Sequence, residues 1–122
     1  MWSDVAQRLL TGLITFPPHT QLRDGAVAHV RLLDTSLADA PTTTVQQMIV
    51  SGIARLLSNG KPVAFALSIL TIDPRVNYTV DIHVDDDGDG QISRGDYINM
   101  QSYPVLTFGH PDRVVVEVRQ VT

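Results

Sequence analysis

Short runs of alternating apolar and polar residues, each ended by a turn signal, recur along the 122-residue chain. Patterning with a period of two commits a chain to strands rather than helices. Leu10, Gly12, Ile14 and Phe16 alternate with Leu9, Thr11, Leu13 and Thr15 before Pro17-Pro18 ends the run. After the Asp24-Gly25 turn, Ala28, Val30 and Leu32 alternate with His29 and Arg31. Residues 42–50 continue the β pattern, and residues 51–57 predict a short helical turn. Beyond the turn dipeptide Asn59-Gly60 come Val63, Phe65, Leu67 and Ile69. Tyr78, Val80, Ile82 and Val84 give the cleanest alternation, and Val114, Val116 and Val118 close the series. The apolar set (28, 30, 32, 63, 65, 67, 69, 78, 80, 82, 84, 114, 116 and 118) is expected to face one core. This spacing of short strands predicts an all-β fold, a single antiparallel β-sandwich of about seven or eight strands. Residues 2–10 offer the one amphipathic-helix alternative. Residues 36–41 read as a loop, and Trp2 as a packing anchor.

One domain covering residues 1–122 is expected, because this length buries roughly two-thirds of its unfolded surface without staples. There is no cysteine, which excludes disulfides, thiolate metal sites and a cysteine nucleophile. Nine Lys and Arg are scattered singly against thirteen acidic residues, for a net charge of −4. With no basic stripe, a nucleic-acid partner is not expected. No apolar run reaches the roughly 20 residues of a membrane-spanning helix. The start Met1-Trp2-Ser3-Asp4 lacks the features of a signal peptide, so either the protein is not exported or the chain is a mature fragment.

The acidic residues are concentrated: five of the thirteen lie between Asp85 and Asp96. This segment fits the twelve-residue calcium loop, whose hard cation takes about six to eight oxygen ligands. Asp85, Asp87 and Asp89 occupy positions one, three and five, and Gly90 the sharp turn at six. Gln91 would ligate through its backbone carbonyl, Ser93 through a water, and Asp96 at position twelve would close the site. Ile92 is expected to pin the loop to the core, and Asp86 to face solvent as an extra charge. Asp96 is one methylene shorter than the usual glutamate, which predicts a weak site of about 10⁻⁵–10⁻³ M. With a strand before it and no clear helix after it, this would be a structural site in a strand–loop setting. The plainer alternative is an acidic surface turn that binds nothing.

Elsewhere the sequence offers little chemistry. His19, His29, His83 and His110 lack metal-pair spacing and read as strand-surface or loop residues. No nucleophile elbow, phosphate loop or dinucleotide fingerprint is present. Asp73 and Asp81 read as turn and solvent-face residues. Asn77-Tyr78-Thr79 matches a glycosylation acceptor with no supporting context.

The segment Tyr103-Pro104-Val105-Leu106-Thr107-Phe108-Gly109-His110-Pro111-Asp112-Arg113-Val114 resembles the end of the bacterial YbaY/YscW-like lipoprotein family. Residues 30–41 and 72–78 agree with it in order, so the resemblance spans roughly residues 10–121. It implies a compact β-sandwich in the bacterial envelope and no catalytic residues; a periplasmic or extracellular location is expected. Some members look like pilotins, chaperones of the outer-membrane secretin of a type III secretion system. The family's lipid-bearing cysteine is missing here, and the acidic loop is an addition. The expectation is a monomeric, non-enzymatic envelope or extracellular binding domain, stabilised by calcium and engaging an envelope protein. The alternative is a pilotin-like chaperone of a secretin, and an enzyme is third.

Overall fold

The computed structural model describes residues 8–36 and 42–122. All but the first residue of the loop expected at residues 36–41, the Trp2 anchor and most of the 2–10 alternative lie outside the described residues. In chain order the elements are β1 (Arg8–Thr15), β2 (Val27–Asp34), β3 (Thr43–Val50), α1 (Ile53–Ser58), β4 (Val63–Ile69), β5 (Tyr78–Asp85), β6 (Tyr97–Asn99), β7 (Pro104–Val105) and β8 (Arg113–Gln120). The six long strands fall where the alternation places them, and short β6 and β7 are additions that the alternation does not show. Asn59-Gly60 ends α1 rather than forming a two-residue hairpin. Gly60 takes φ 67°, Gly60 N–H donates to Leu57 O at 3.1 Å, and Lys61 N–H donates to Leu56 O at 2.8 Å. That pair of bonds satisfies carbonyls the helix leaves open, and the left-handed backbone suits glycine.

The strand order is β3-β2-β5-β6-β8-β1-β4, with β7 pairing β5. One layer is β3-β2-β5 and the other is β8-β1-β4; short β6 joins β5 to β8, so the two layers form one sheet, almost closed like a barrel. The other side stays open, with β3 facing β4. All neighbours are antiparallel except β1 and β8, which run parallel from Thr11↔Arg113 to Thr15↔Glu117. A hairpin forces antiparallel pairing, but β1 and β8 are at opposite ends of the chain and share no hairpin. The expected core residues are buried between the layers, Val114 alone being half-buried.

Gly12 explains how the second layer packs. It sits opposite Phe65 in register. A Cβ there would collide with the Phe65 ring and come within 2.9 Å of the Val114 carbonyl oxygen. The ring occupies the space that a side chain at position 12 would need. Phe65→Ala is therefore expected to cost about 3–5 kcal/mol by chemical denaturation. Gly12→Ala should cost about 1–3 kcal/mol by overpacking. The double variant should cost less than the sum, because removing the ring frees the space. Strict additivity would show that the two residues do not share it.

Candidate functional site

Two features stand apart from the core: the acidic loop after β5 and a groove at the open side. In the loop, Asp85, Asp87, Asp89 and Asp96 each bring one carboxylate oxygen to within 4.8 Å of the others. The backbone turns around these carboxylates. Asp85 accepts the N–H groups of Gly88 at 3.0 Å and Gly90 at 2.7 Å. Gly90, at φ 77°, makes the left-handed turn that position six requires. Asp89 accepts Gln91 N–H at 2.9 Å, and Ser93 Oγ donates to Asp87 at 3.2 Å. Partial desolvation opposes ionisation of Asp87, but hydrogen bonds involving Asp85, Asp89 and Ser93 outweigh it and hold its carboxyl below the usual carboxylate range. Of the expected ligand set, the four aspartates converge. Gln91, expected to act through its carbonyl, is tied to the loop by its N–H.

Three expectations about the surroundings need correction. Ile92 is 58% exposed and does not pin the loop. The anchor is Asp96, whose Oδ2 lies 2.8 Å from His83 Nε2 and accepts Ser93 N–H, while its Oδ1 accepts Asp86 N–H. Asp86 is not a free charge: it accepts Arg23 N–H at 2.8 Å and lies 3.8 Å from Arg23 Nε. His83 is not a strand-surface residue. Its side chain is 2% exposed and that of Asp96 1%. His83 pairs across strands with His29 on β2, the rings stacked at 5.4 Å. His29 Nε2 is buried, makes no hydrogen bond, and lies 3.8 Å from Asp85 Oδ2. Spacing along the chain could not show this grouping; the signal lay in the register of β2 against β5.

The groove occupies about 930 Å³ and is lined by residues 11–13, 48–51, 64–66 and 113–115. Its walls belong to β1, β4 and β8 on one side and the end of β3 on the other. Leu13, paired in register with both Val115 and Ala64, carries the apolar outer face of the second layer up to it. Leu13, Val115 and Ile49 are exposed. The buried His83–Asp96 pair lies outside this lining, so no substrate in the groove reaches it.

Because Asp96 loses its buried partner when His83 is truncated, His83→Ala should destabilise the protein by about 3 kcal/mol in denaturant titrations. A loss below about 0.5 kcal/mol, the level of a neutral surface change, would mean that the pair does not anchor the loop.

A solved structure of an alternative pilotin from the type II secretion system of Vibrio cholerae is similar over 95% of this chain and 98% of its own, with a TM-score of 0.70 and 26% sequence identity. No curated protein matches the chain. The family model for the type III secretion system lipoprotein chaperone (YscW) matches residues 5–118. That match covers nearly the whole sheet, from before β1 into β8, and the chain belongs to this YscW family.

Proposed function

We propose that this protein is a pilotin-like chaperone that works in the bacterial envelope and holds an apolar segment of an outer-membrane secretin subunit in its open groove. The observation that carries this reading is the apolar groove at the unclosed side of the sheet, flanked by exposed Leu13, Ile49 and Val115. A chaperone of this kind covers apolar surface on its client until assembly, which needs a concave apolar site rather than reactive groups. The family and the Vibrio cholerae pilotin support a non-enzymatic role. Their names also favour the chaperone over a calcium-dependent binding domain as the main task.

The test is co-purification of the protein with its cognate secretin, with affinity measured by calorimetry. Leu13→Asp, Ile49→Asp and Val115→Asp place a charge on exposed positions, so the fold should keep its melting temperature. Each is expected to weaken binding about tenfold, equivalent to about 1.4 kcal/mol. Wild-type affinity in all three variants would remove the groove from the interface.

We further propose that the 85–96 loop takes one calcium ion through Asp85, Asp87, Asp89, the Gln91 carbonyl and Asp96, as a structural site. The convergence of the four carboxylates favours it, since a divalent cation relieves their mutual repulsion. Binding to the folded state alone stabilises by about 2.7 kcal/mol at one hundred times Kd. Millimolar calcium should therefore raise the melting temperature of the wild type and leave that of Asp87→Ala unchanged. No heat and no thermal shift with calcium would leave the loop a plain acidic turn.

A further inference from the structure

The register of β2 against β5 builds a second group of ligating atoms behind the acidic loop. His29 and His83 are paired across the two strands, and Asp85, two residues beyond His83, lies on the same face of β5. Asp96, just before β6, closes on that face from the other side. His83, Asp85 and Asp96 each bring one nitrogen or oxygen to within 4.8 Å of the others, and all three are buried. His83 Nε2 lies 2.8 Å from Asp96 Oδ2, and His29 Nε2 lies 3.8 Å from Asp85 Oδ2.

Burial makes demands that the protein atoms here do not meet. Among the described residues neither Asp85 nor Asp96 pairs with a lysine or arginine; their ion-pair neighbours are His29 and His83. Two buried carboxylates side by side with no fixed positive charge are costly. His29 Nε2 is itself buried and makes no hydrogen bond. Buried ring nitrogens are ordinarily partnered, and an orphaned one calls for a ligand. A single cation would balance the carboxylates and take the nitrogen lone pair.

The donors decide which cation. Calcium takes oxygen ligands, whereas imidazole nitrogen suits zinc and its transition-metal neighbours. Two imidazoles and two carboxylates make a four-coordinate zinc set, with bonds of about 2.0–2.2 Å. Bonds of that length put neighbouring ligand atoms about 3.3 Å apart in a tetrahedron. The observed separations of 2.8 Å and 3.8 Å bracket that value. The two rings are 19° from parallel, so His29 must tilt toward Asp85 to share the ion. Exposed Asp87 and Asp89 give the buried group a negatively charged entrance.

We propose that His29, His83, Asp85 and Asp96 bind one divalent cation of the zinc class. This goes beyond the calcium reading and does not depend on it. Asp85 and Asp96 are common to both sets, but calcium would be completed by Asp87, Asp89 and the Gln91 carbonyl, and zinc by two ring nitrogens. The role is structural: an ion held by β2, β5 and the residue before β6 ties β2 to the joint between the layers.

The test is calorimetric titration of the untagged protein with zinc chloride, in the wild type, His29→Gln and Asp87→Ala, with cobalt(II) as a spectroscopic stand-in. His29 Nε2 makes no hydrogen bond, so His29→Gln keeps the His83–Asp96 anchor and the fold. His29→Gln should bind zinc at least about tenfold more weakly, while Asp87→Ala should bind it as the wild type does. Cobalt on the wild type should give the intense visible absorption of a four-coordinate site, and His29→Gln should lose it. No zinc binding by the wild type, or only the weak absorption of six-coordinate cobalt, would overturn the proposal. So would wild-type zinc affinity in His29→Gln, or a loss in Asp87→Ala as large as in His29→Gln, which would put the ion among the loop carboxylates. Calcium is left out of these titrations, so their outcome is separate from that of the calcium test.

Discussion

The two layers of this protein are one sheet because of a three-residue strand, and that strand is placed by one carboxylate. β6 bonds to β5 on one side and β8 on the other. Just before it, Gly95 and Asp96 exchange backbone hydrogen bonds with Val121, just past β8: Val121 N–H to Asp96 O at 2.8 Å and Gly95 N–H to Val121 O at 3.0 Å. The Asp96 side chain meanwhile binds His83 on β5 and gathers the loop through Asp86 and Ser93. Asp96 thus ties β5, the loop and β8 together. A buried carboxylate needs such a set of partners, since its desolvation is costly otherwise. Much of the acidic loop is therefore architecture, and a cation there would reinforce a joint that already exists.

The opposite side of the sheet has no such joint. β3 and β4 face one another, and a hydrogen bond of 2.7 Å from Gln46 Nε2 to the Ser68 carbonyl spans the gap. Exposed strand edges normally carry charge or proline to discourage pairing with other chains. β3 is uncharged along its whole length from Thr43 to Val50. α1 bridges from β3 to β4 at one end of the seam through buried Ile53, leaving the groove open beside it. A sheet closed on one side and open and uncharged on the other is suited to receiving an apolar segment without rebuilding its core.

The strands and core were legible in the sequence because a half-buried sheet imposes its period on every strand. Tyr78–Val84 and Val63–Ile69 show this most clearly. Family membership was legible from the Tyr103–Val114 segment, whose buried Tyr103 and Leu106 and positive-φ turn restrict what fits there. The parallel pairing of β1 with β8 was not legible, because alternation gives a strand's faces and not its neighbours. His83 was misread for the same reason. Its alternation marks a wet face, yet β6 and the loop cover that face, and only the register brings it to Asp96 and His29. Ile92 failed in the other direction: loop position eight is an anchor where a paired loop or core lies beside it, whereas here the anchor is polar.

The loop and the groove are spatially separate, and that separation has a physical consequence. The loop lies at one end of β5, and the groove along the side where β3 and β4 fail to meet. A cation in the loop would stabilise the β5–β6–β8 joint, on the closed side of the sheet. It would raise the free energy of opening the whole fold while leaving unaltered the groove walls in β1, β3, β4 and the first residues of β8, at the far end of that strand from the joint. Coupling between the loop and a client would require the two layers to move as a hinge about β6. The core packed between them, from Leu10 and Leu32 to Ile82 and Val116, resists that motion. The arrangement therefore favours a stabilising ion over a switching one, and a client site whose affinity is set by its own apolar walls.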